Sequence, residues 1–276
     1  MSDYLNHQVN IHDPAFVAHY DELPLWSAYA GALLLRHVPL RRGCVALDIG
    51  CGAGFPLLEL AQRLGAGSHV YGVDPWEAAL DRARAKARQW QVANVTLIPG
   101  DAASLPLPNE SIDLIVSNLG VNNLADGVAV FAECRRVARP GAVVALTTNL
   151  QGHMQEFYTV AFAALESARA DHLIPRLQRH IEQRATIPAL AAALEAAGFQ
   201  MTRTAEETAE LRFADGSAML RHWFIKLAFL PAWRDALAGP DMAALFSDIE
   251  ARLNAHARHA GELRLSIPLA YLEARA

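Results

Sequence analysis

Leu47-Asp48-Ile49-Gly50-Cys51-Gly52-Ala53-Gly54-Phe55 is the stretch on which the fold turns. Residues 45–49 ahead of it form a short apolar run bounded by Gly43 and Gly50, which reads as a buried strand. Behind it, Leu57, Leu58, Ala61 and Leu64 recur at helical spacing. Glycines between a strand and a helix let the backbone turn tightly and let a ligand approach the main chain. The helix that follows offers unpaired N–H groups to an anion. A dinucleotide fingerprint, G-x-G-x-x-G, requires glycine where Phe55 stands. The actual pattern is G-x-G-x-G with an acid two residues ahead of the first glycine. That acid would repel a pyrophosphate and attract an ammonium.

The alternation continues outward from this turn. Strands are predicted at 69–73, 95–98, 112–116 and 142–146. Helices are predicted at 76–90, where Leu80, Ala83, Ala87 and Trp90 share a face, and at 128–138, stopped by Arg139-Pro140-Gly141. Strands and helices alternating at this spacing imply an α/β fold with a parallel sheet and helices on both faces. Residues 1–42 are helical after a polar start and form an N-terminal cap; 43–150 are the core. Beyond 150 the pattern loosens. We expect a helical insertion over 151–185 and a helix from Thr186-Ile187-Pro188 to Gly198. A strand over 200–213, helices within 217–230 and 241–258, and a last strand over 263–272 follow. Pro268 marks that last strand as an edge or a bulge. The whole of 1–276 reads as one domain, with a second helical insertion at about 215–260.

Polar residues stand at the strand ends. Asp74 closes the second strand and can accept both hydroxyls of a ribose. Asp101, in Gly100-Asp101-Ala102, closes the third and can accept from an adenine amine; Asn118 closes the fourth. In a parallel sheet these ends open on one edge, where open α/β sheets bind ligands. A ligand with an ammonium, a ribose and an adenine matches S-adenosylmethionine.

On these residues the chain resembles the class I S-adenosylmethionine-dependent methyltransferases, nearest the type-11 group that includes ubiquinone- and menaquinone-biosynthesis enzymes. The matching stretches are LDIGCGAGF at 47–55, YGVDPW at 71–76, IPGDAASLPLPNESIDLIVSN at 98–118 and RVARPGAVVALTT at 136–148; IPALAAALEAAGFQM at 187–201 and SIPLAYLEA at 266–274 extend them. The resemblance implies a Rossmann-like sheet of seven mostly parallel strands with the last antiparallel. It also places Asp48, Gly50, Cys51 and Gly52 at the methionine moiety, Asp74 on ribose, Asp101 and Ala102 at adenine, and Pro75 and Trp76 against the adenine ring. The loop after the fourth strand, Asn118-Leu119-Gly120-Val121-Asn122-Asn123, departs from the Asn-Pro-Pro-Tyr of enzymes that methylate nucleobases or glutamine.

Around the acceptor, several residues have two readings. Tyr20 and Trp26 either close over the cofactor or pack in a core. Asn122 and Asn123 either form a turn or bind substrate. His153, after the fifth strand, is either a base or a surface residue. His256 and His259 are three apart on a helix with no third metal ligand in view, so no metal is expected. Apolar residues make up 53% and charged residues 19%, a globular composition. The net charge of −5 and the absence of a basic stripe disfavour nucleic acid as partner and point to a small, partly apolar acceptor. The densest basic run, Arg82-Arg84-Lys86-Arg88 at alternate positions, reads as a solvated helix face. Three cysteines with no CxxC pair, no apolar run of spanning length and no signal pattern suggest a reduced, cytoplasmic chain, monomeric or homodimeric. A dinucleotide oxidoreductase and a non-catalytic S-adenosylmethionine-binding protein are the alternatives.

Overall fold

A computed structural model describes residues 3–7, 10, 13–23 and 25–276. In chain order the elements are α1 (Pro14–Asp21), α2 (Leu25–His37), β1 (Val45–Ile49), α3 (Leu57–Leu64), β2 (His69–Asp74), α4 (Glu77–Gln89), β3 (Val95–Pro99), β4 (Ile112–Asn118), α5 (Gly127–Val137) and β5 (Ala138–Asn149). There follow α6 (Gln155–Ser167), α7 (Ile174–Glu182), α8 (Ile187–Ala196), β6 (Gln200–Phe213), α9 (Gly216–Arg221), α10 (Trp223–Ala228), α11 (Leu230–Ala236), α12 (Met242–Ala260) and β7 (Leu263–Arg275).

Local chemistry explains where these elements begin and stop. Asp126 caps α5 by accepting from the Ala129 N–H at 3.0 Å, and Thr186 caps α8 through the Ala189 N–H at 3.3 Å. Gly198, at φ +91°, takes up the left-handed turn that ends α8. In α4, Ala79, Leu80 and Ala83 are buried at three- and four-residue spacing, the stripe that binds a helix to a sheet.

The strands form a seven-stranded sheet in the order β3-β2-β1-β4-β5-β7-β6. The pairs β1–β2, β1–β4, β2–β3 and β4–β5 are parallel, and β5–β7 is antiparallel. The doubly wound sheet with a reversed last strand is thus the architecture expected. On one face Leu47, Ile49, Ile115, Val144 and Leu146 pack with Phe131, Cys134 and Val137 of α5 and Leu194 of α8. α2 and α3 lie against β5 and β2; their buried leucines include Leu33, Leu34, Leu57, Leu58 and Leu60. Asp48, between Leu47 and Ile49, points to the face opposite that core cluster.

Two details differ from expectation. The strand predicted to start at 142 starts at Ala138, and the Arg139-Pro140-Gly141 stop lies inside it. The β4–β5 register shifts between Ile112 and Leu114, and Arg139 grips the Asp113 carboxylate through both oxygens at 2.8 and 2.7 Å, bracing the irregularity. The last strand is interior in the order, with β5 and β6 as neighbours. Pro268 is tolerated there because pairing with β5 begins only at Leu269. Residues 217–230 are helical as expected, forming two short helices and the start of a third.

The chain divides into two compact units. The sheet unit comprises residues 11–149, 185–207 and 269–276. The helical unit comprises 1–10, 150–184 and 208–268 and takes in most of the two expected insertions. In the helical unit, the Phe157 and Trp233 rings stack at 3.7 Å, and Trp233 Nε1–H donates to the Tyr158 hydroxyl at 3.2 Å. In the sheet unit, Cys44 and Cys134 are buried, and burial pushes their thiols up to about 11 and about 12. Among the described residues no helix is long and apolar enough to cross a membrane.

Candidate active site

The site is built at the carboxyl end of β1. Gly50 and Cys51 donate their N–H groups to the Val73 carbonyl at 2.9 and 3.2 Å, so the loop folds over the end of β2. Gly50, at φ +72°, passes so close to the next crossover that a Cβ would lie 2.9 Å from Gly120 Cα. The approach is reciprocal, since a Cβ on Gly120 would lie 2.5 Å from the Ile49 carbonyl oxygen. Gly52, at φ +48°, is different: nothing lies within 4 Å of its missing side chain. The loop is therefore pinned on one side and open on another.

Two acids flank it. Asp48 has no exposed surface, and neither carboxylate oxygen has a hydrogen-bond partner. Burial pushes its carboxyl well above the usual carboxylate range, and the charge of Asp74 adds to this. The Leu57 N–H, which does not close a hydrogen bond, works the other way. Asp74 is held on both oxygens: Gly52 N–H donates to Oδ2 and Trp76 N–H to Oδ1, each at 2.8 Å. Burial raises its carboxyl as well, opposed by those two N–H groups. Each Asp74 oxygen retains a lone pair for a further donor. Cys51 is buried within the loop, and burial and then the two acids drive its thiol well up.

The third strand end is looser. Asp101 is exposed and its Oδ1 accepts from Ala103 N–H at 2.9 Å, while Ala102 beside it is buried. Pro75 is exposed and Trp76 half-buried. The Trp76 ring meets Tyr20 edge-on at 5.5 Å and Phe16 at 6.1 Å. Sequence reasoning missed Phe16, although its four-residue offset from Tyr20 puts both on one face of α1. Tyr20 is 40% exposed over the whole residue, yet the protein crowding its hydroxyl, and then the Asp74 charge, hold that phenol above its usual range. Asp21, next in α1, accepts from Arg82 at 2.8 Å and Lys86 at 2.5 Å. The basic run is therefore not merely a solvated face; two of its members fasten α1 to α4.

Asn118 is committed to structure. Its Nδ2 donates to the Ser27 carbonyl of α2 at 3.0 Å, and its Oδ1 accepts from the Thr147 hydroxyl at 2.9 Å. Next to it, Gly31 makes room for Phe55: a Cβ there would lie 2.2 Å from the ring. Asn122 donates to Asn149 Oδ1 at 2.6 Å and accepts from the Thr148 hydroxyl, which favours the turn reading. Asn123 is exposed. The side chain of Trp26 lies outside the described residues. His153, in the helical unit, is no surface residue: it is 2% exposed, with its ring 5.4 Å from Phe229. Burial, and then Arg184, lower its imidazole to about 2, which makes it a weak proton acceptor at neutral pH. Among the described residues no group of three His, Cys, Asp or Glu is placed to hold a metal ion.

Comparison with known proteins agrees with this architecture. Residues 47–146 match the family described as methyltransferase domain, type 11. Over 150 residues the chain is 33% identical to a demethylmenaquinone methyltransferase of Geobacillus stearothermophilus, covering 51% of this chain and 64% of that one. The chain thus spans less than two thirds of that relative's length. Over 254 residues it is 30% identical to the nocamycin O-methyltransferase of Saccharothrix syringae, covering 88% and 89% of the two. In fold it resembles a SAM-dependent methyltransferase from Aquifex aeolicus, with a TM-score of 0.55, 22% identity, and coverage of 70% of this chain and 91% of that one. Similarity to a relative over nearly the full length of both chains, on this sheet and around this glycine loop, shows that the chain belongs to the class I S-adenosylmethionine-dependent methyltransferases, in the type-11 group.

Proposed function

We propose that the chain transfers the methyl group of S-adenosylmethionine to a small, partly apolar molecule. The observation that carries this reading is Asp48, a fully buried carboxylate with no partner beside the glycine loop. Such a group is costly alone and is satisfied by a ligand that brings a cation. The ammonium of a methionine moiety is such a cation, and an intact dinucleotide is not.

In this reading Asp48 and the main chain of Gly50, Cys51 and Gly52 hold the methionine part. Asp74 takes the ribose hydroxyls on the lone pairs left by Gly52 and Trp76. Pro75, Trp76 and Ala102 enclose the adenine, with Asp101 accepting from its amine. Asn118 is a positioning residue that ties β4 to α2. When bound, S-adenosylmethionine supplies an electrophilic methyl group. The chain aligns the acceptor behind it and keeps water out, which can account for much of the rate. His153 is not assigned as a base, because its burial opposes protonation.

The names of the relatives support a small acceptor: one acts on demethylmenaquinone and another makes an O-methylation in nocamycin. Phe16 and Tyr20 of α1 supply apolar surface beside Trp76. Three free, buried cysteines suit a reducing compartment such as the cytoplasm. The test is calorimetry with S-adenosylhomocysteine, followed by a methyl-transfer screen over small phenols, quinols and enols read out as S-adenosylhomocysteine. One site per chain and turnover of a panel member are expected. Binding of NAD in place of S-adenosylhomocysteine would favour an oxidoreductase, and binding without turnover across the panel a non-catalytic protein.

A further inference from the structure

The helical unit holds a group of basic side chains that the methyl-transfer reading does not use. It includes a short 3-10 turn at Asp3–Asn6, followed by His7. The His7 ring meets the Trp223 ring edge-on at 4.8 Å. On the same indole, Lys226 Nζ lies 4.7 Å from the ring centre. Arg234, on α11, reaches the His7 carbonyl through Nη1 at 3.4 Å, at the long end of the hydrogen-bond range. Two basic side chains therefore meet one indole, and a third, from another helix, reaches the main chain of His7.

Two nitrogens of the group lack a hydrogen-bond partner. Arg234 Nε and His7 Nε2 are enclosed by protein and have no hydrogen-bond partner. No carboxylate among the described residues pairs with Lys226 or Arg234. Other arginines of the same unit are matched to acids: Arg221 to Glu250 at 2.6 Å and Arg252 to Asp248 at 2.8 Å. A guanidinium N–H stays a donor at every relevant pH, so burying it unmet costs free energy that an acceptor would recover. Burial, and then the charge of Lys226, hold the His7 imidazole below its usual range, which is the field an anion would reverse.

We propose that His7, Lys226 and Arg234, beside Trp223, form a binding site for the anionic oxygens of a small-molecule carboxylate or phosphate. Arg234 Nε–H supplies a fixed donor and Lys226 a mobile one, and His7 adds a third in the tautomer that carries its proton on Nε2. The proposal stands whether or not the methyl-transfer reading holds, because it uses none of the residues of the sheet unit.

The test uses the full chain at low ionic strength with two probes, benzoate for a carboxylate on a flat body and inorganic phosphate for the bare anion. Binding is followed by calorimetry and by the imidazole nitrogen resonances of His7. Saturable binding of at least one probe is expected, moving the His7 Nε2 resonance and weakening with added salt. Arg234→Gln and Lys226→Gln should each weaken it about tenfold, as loss of one charge-assisted hydrogen bond does. S-adenosylhomocysteine affinity should stay within about twofold of the parent in both, since independent sites do not couple. Benzoate binding alone would assign the site to carboxylates, and phosphate binding alone to phosphates. If neither probe moves the His7 resonance at about 50 mM, far above the dissociation constant of a useful ionic site, the proposal fails. It fails equally if both variants bind like the parent. Should either variant not fold, the His7 response of the parent chain and its salt dependence decide.

Discussion

Replacing Asp48 by asparagine separates stability from ligand binding. The carboxyl is fully buried and unpartnered, and burial and Asp74 raise its pKa well above the usual range. The folded state therefore holds a proton that the unfolded chain releases near pH 4. Stability is fully present below the unfolded value and is lost as pH rises toward the folded one. Keeping a carboxyl of ordinary pKa protonated at pH 7 costs about 4 kcal/mol, an upper bound on what Asp48→Asn can recover. The asparagine amide is itself unmet there and returns about 1–3 kcal/mol of that gain. A net stabilisation of at most about 1–3 kcal/mol is expected at pH 7 without ligand, shrinking toward zero at pH 4. S-adenosylhomocysteine should bind about 10- to 150-fold more weakly, the loss of a hydrogen bond to a charged partner. Chemical denaturation from pH 4 to 8 with calorimetry of the ligand checks both. A variant that is less stable than the parent at pH 7, or that binds the ligand undiminished, would refute the reasoning.

Asp74→Ala removes the carboxylate proposed to take the ribose hydroxyls and also frees the Gly52 and Trp76 N–H groups; calorimetry should show S-adenosylhomocysteine binding weakened by about 1.5–3 kcal/mol or more. Gly120→Ala forces a Cβ to within 2.5 Å of the Ile49 carbonyl; it should destabilise the fold by about 1–3 kcal/mol in urea unfolding and weaken the ligand, because the loop at Gly50 must move. Ending the chain at residue 260 deletes β7, the antiparallel partner of β5 from Leu269 to Arg275, and should abolish cooperative unfolding by circular dichroism.

The core of the fold was legible because its signals are local. A strand, a glycine turn and a helix lie within residues 45–64, and period alone separates them. The strand-end acids were legible for the same reason, since the end of each strand fixes where Asp48, Asp74 and Asp101 stand. What those acids touch was not legible. The bond from Gly52 to Asp74 joins the first crossover to the end of the second strand, and nothing in either segment encodes it, whereas the bond from Trp76 is a local turn two residues long. The two halves of the Gly50–Gly120 contact are 70 positions apart. Asn122 carries a side chain suited to binding substrate, and only the positions of Thr148 and Asn149 show that it is already engaged. The start of β5 at Ala138 was hidden because Pro140-Gly141 is a reliable stop signal locally, which a bulge braced by Arg139 and Asp113 overrides.

The three thiols have a use beyond packing. Cys44 at the entrance to β1, Cys51 in the glycine loop and Cys134 on α5 are all buried, and burial keeps each in the unreactive thiol form. An alkylating reagent acts on the thiolate, so it would modify each position only in molecules that have opened there. The chain thus carries three clocks for local opening, read by mass spectrometry without any introduced label. A ligand seated on the glycine loop would slow the clock at Cys51 before those at the other two.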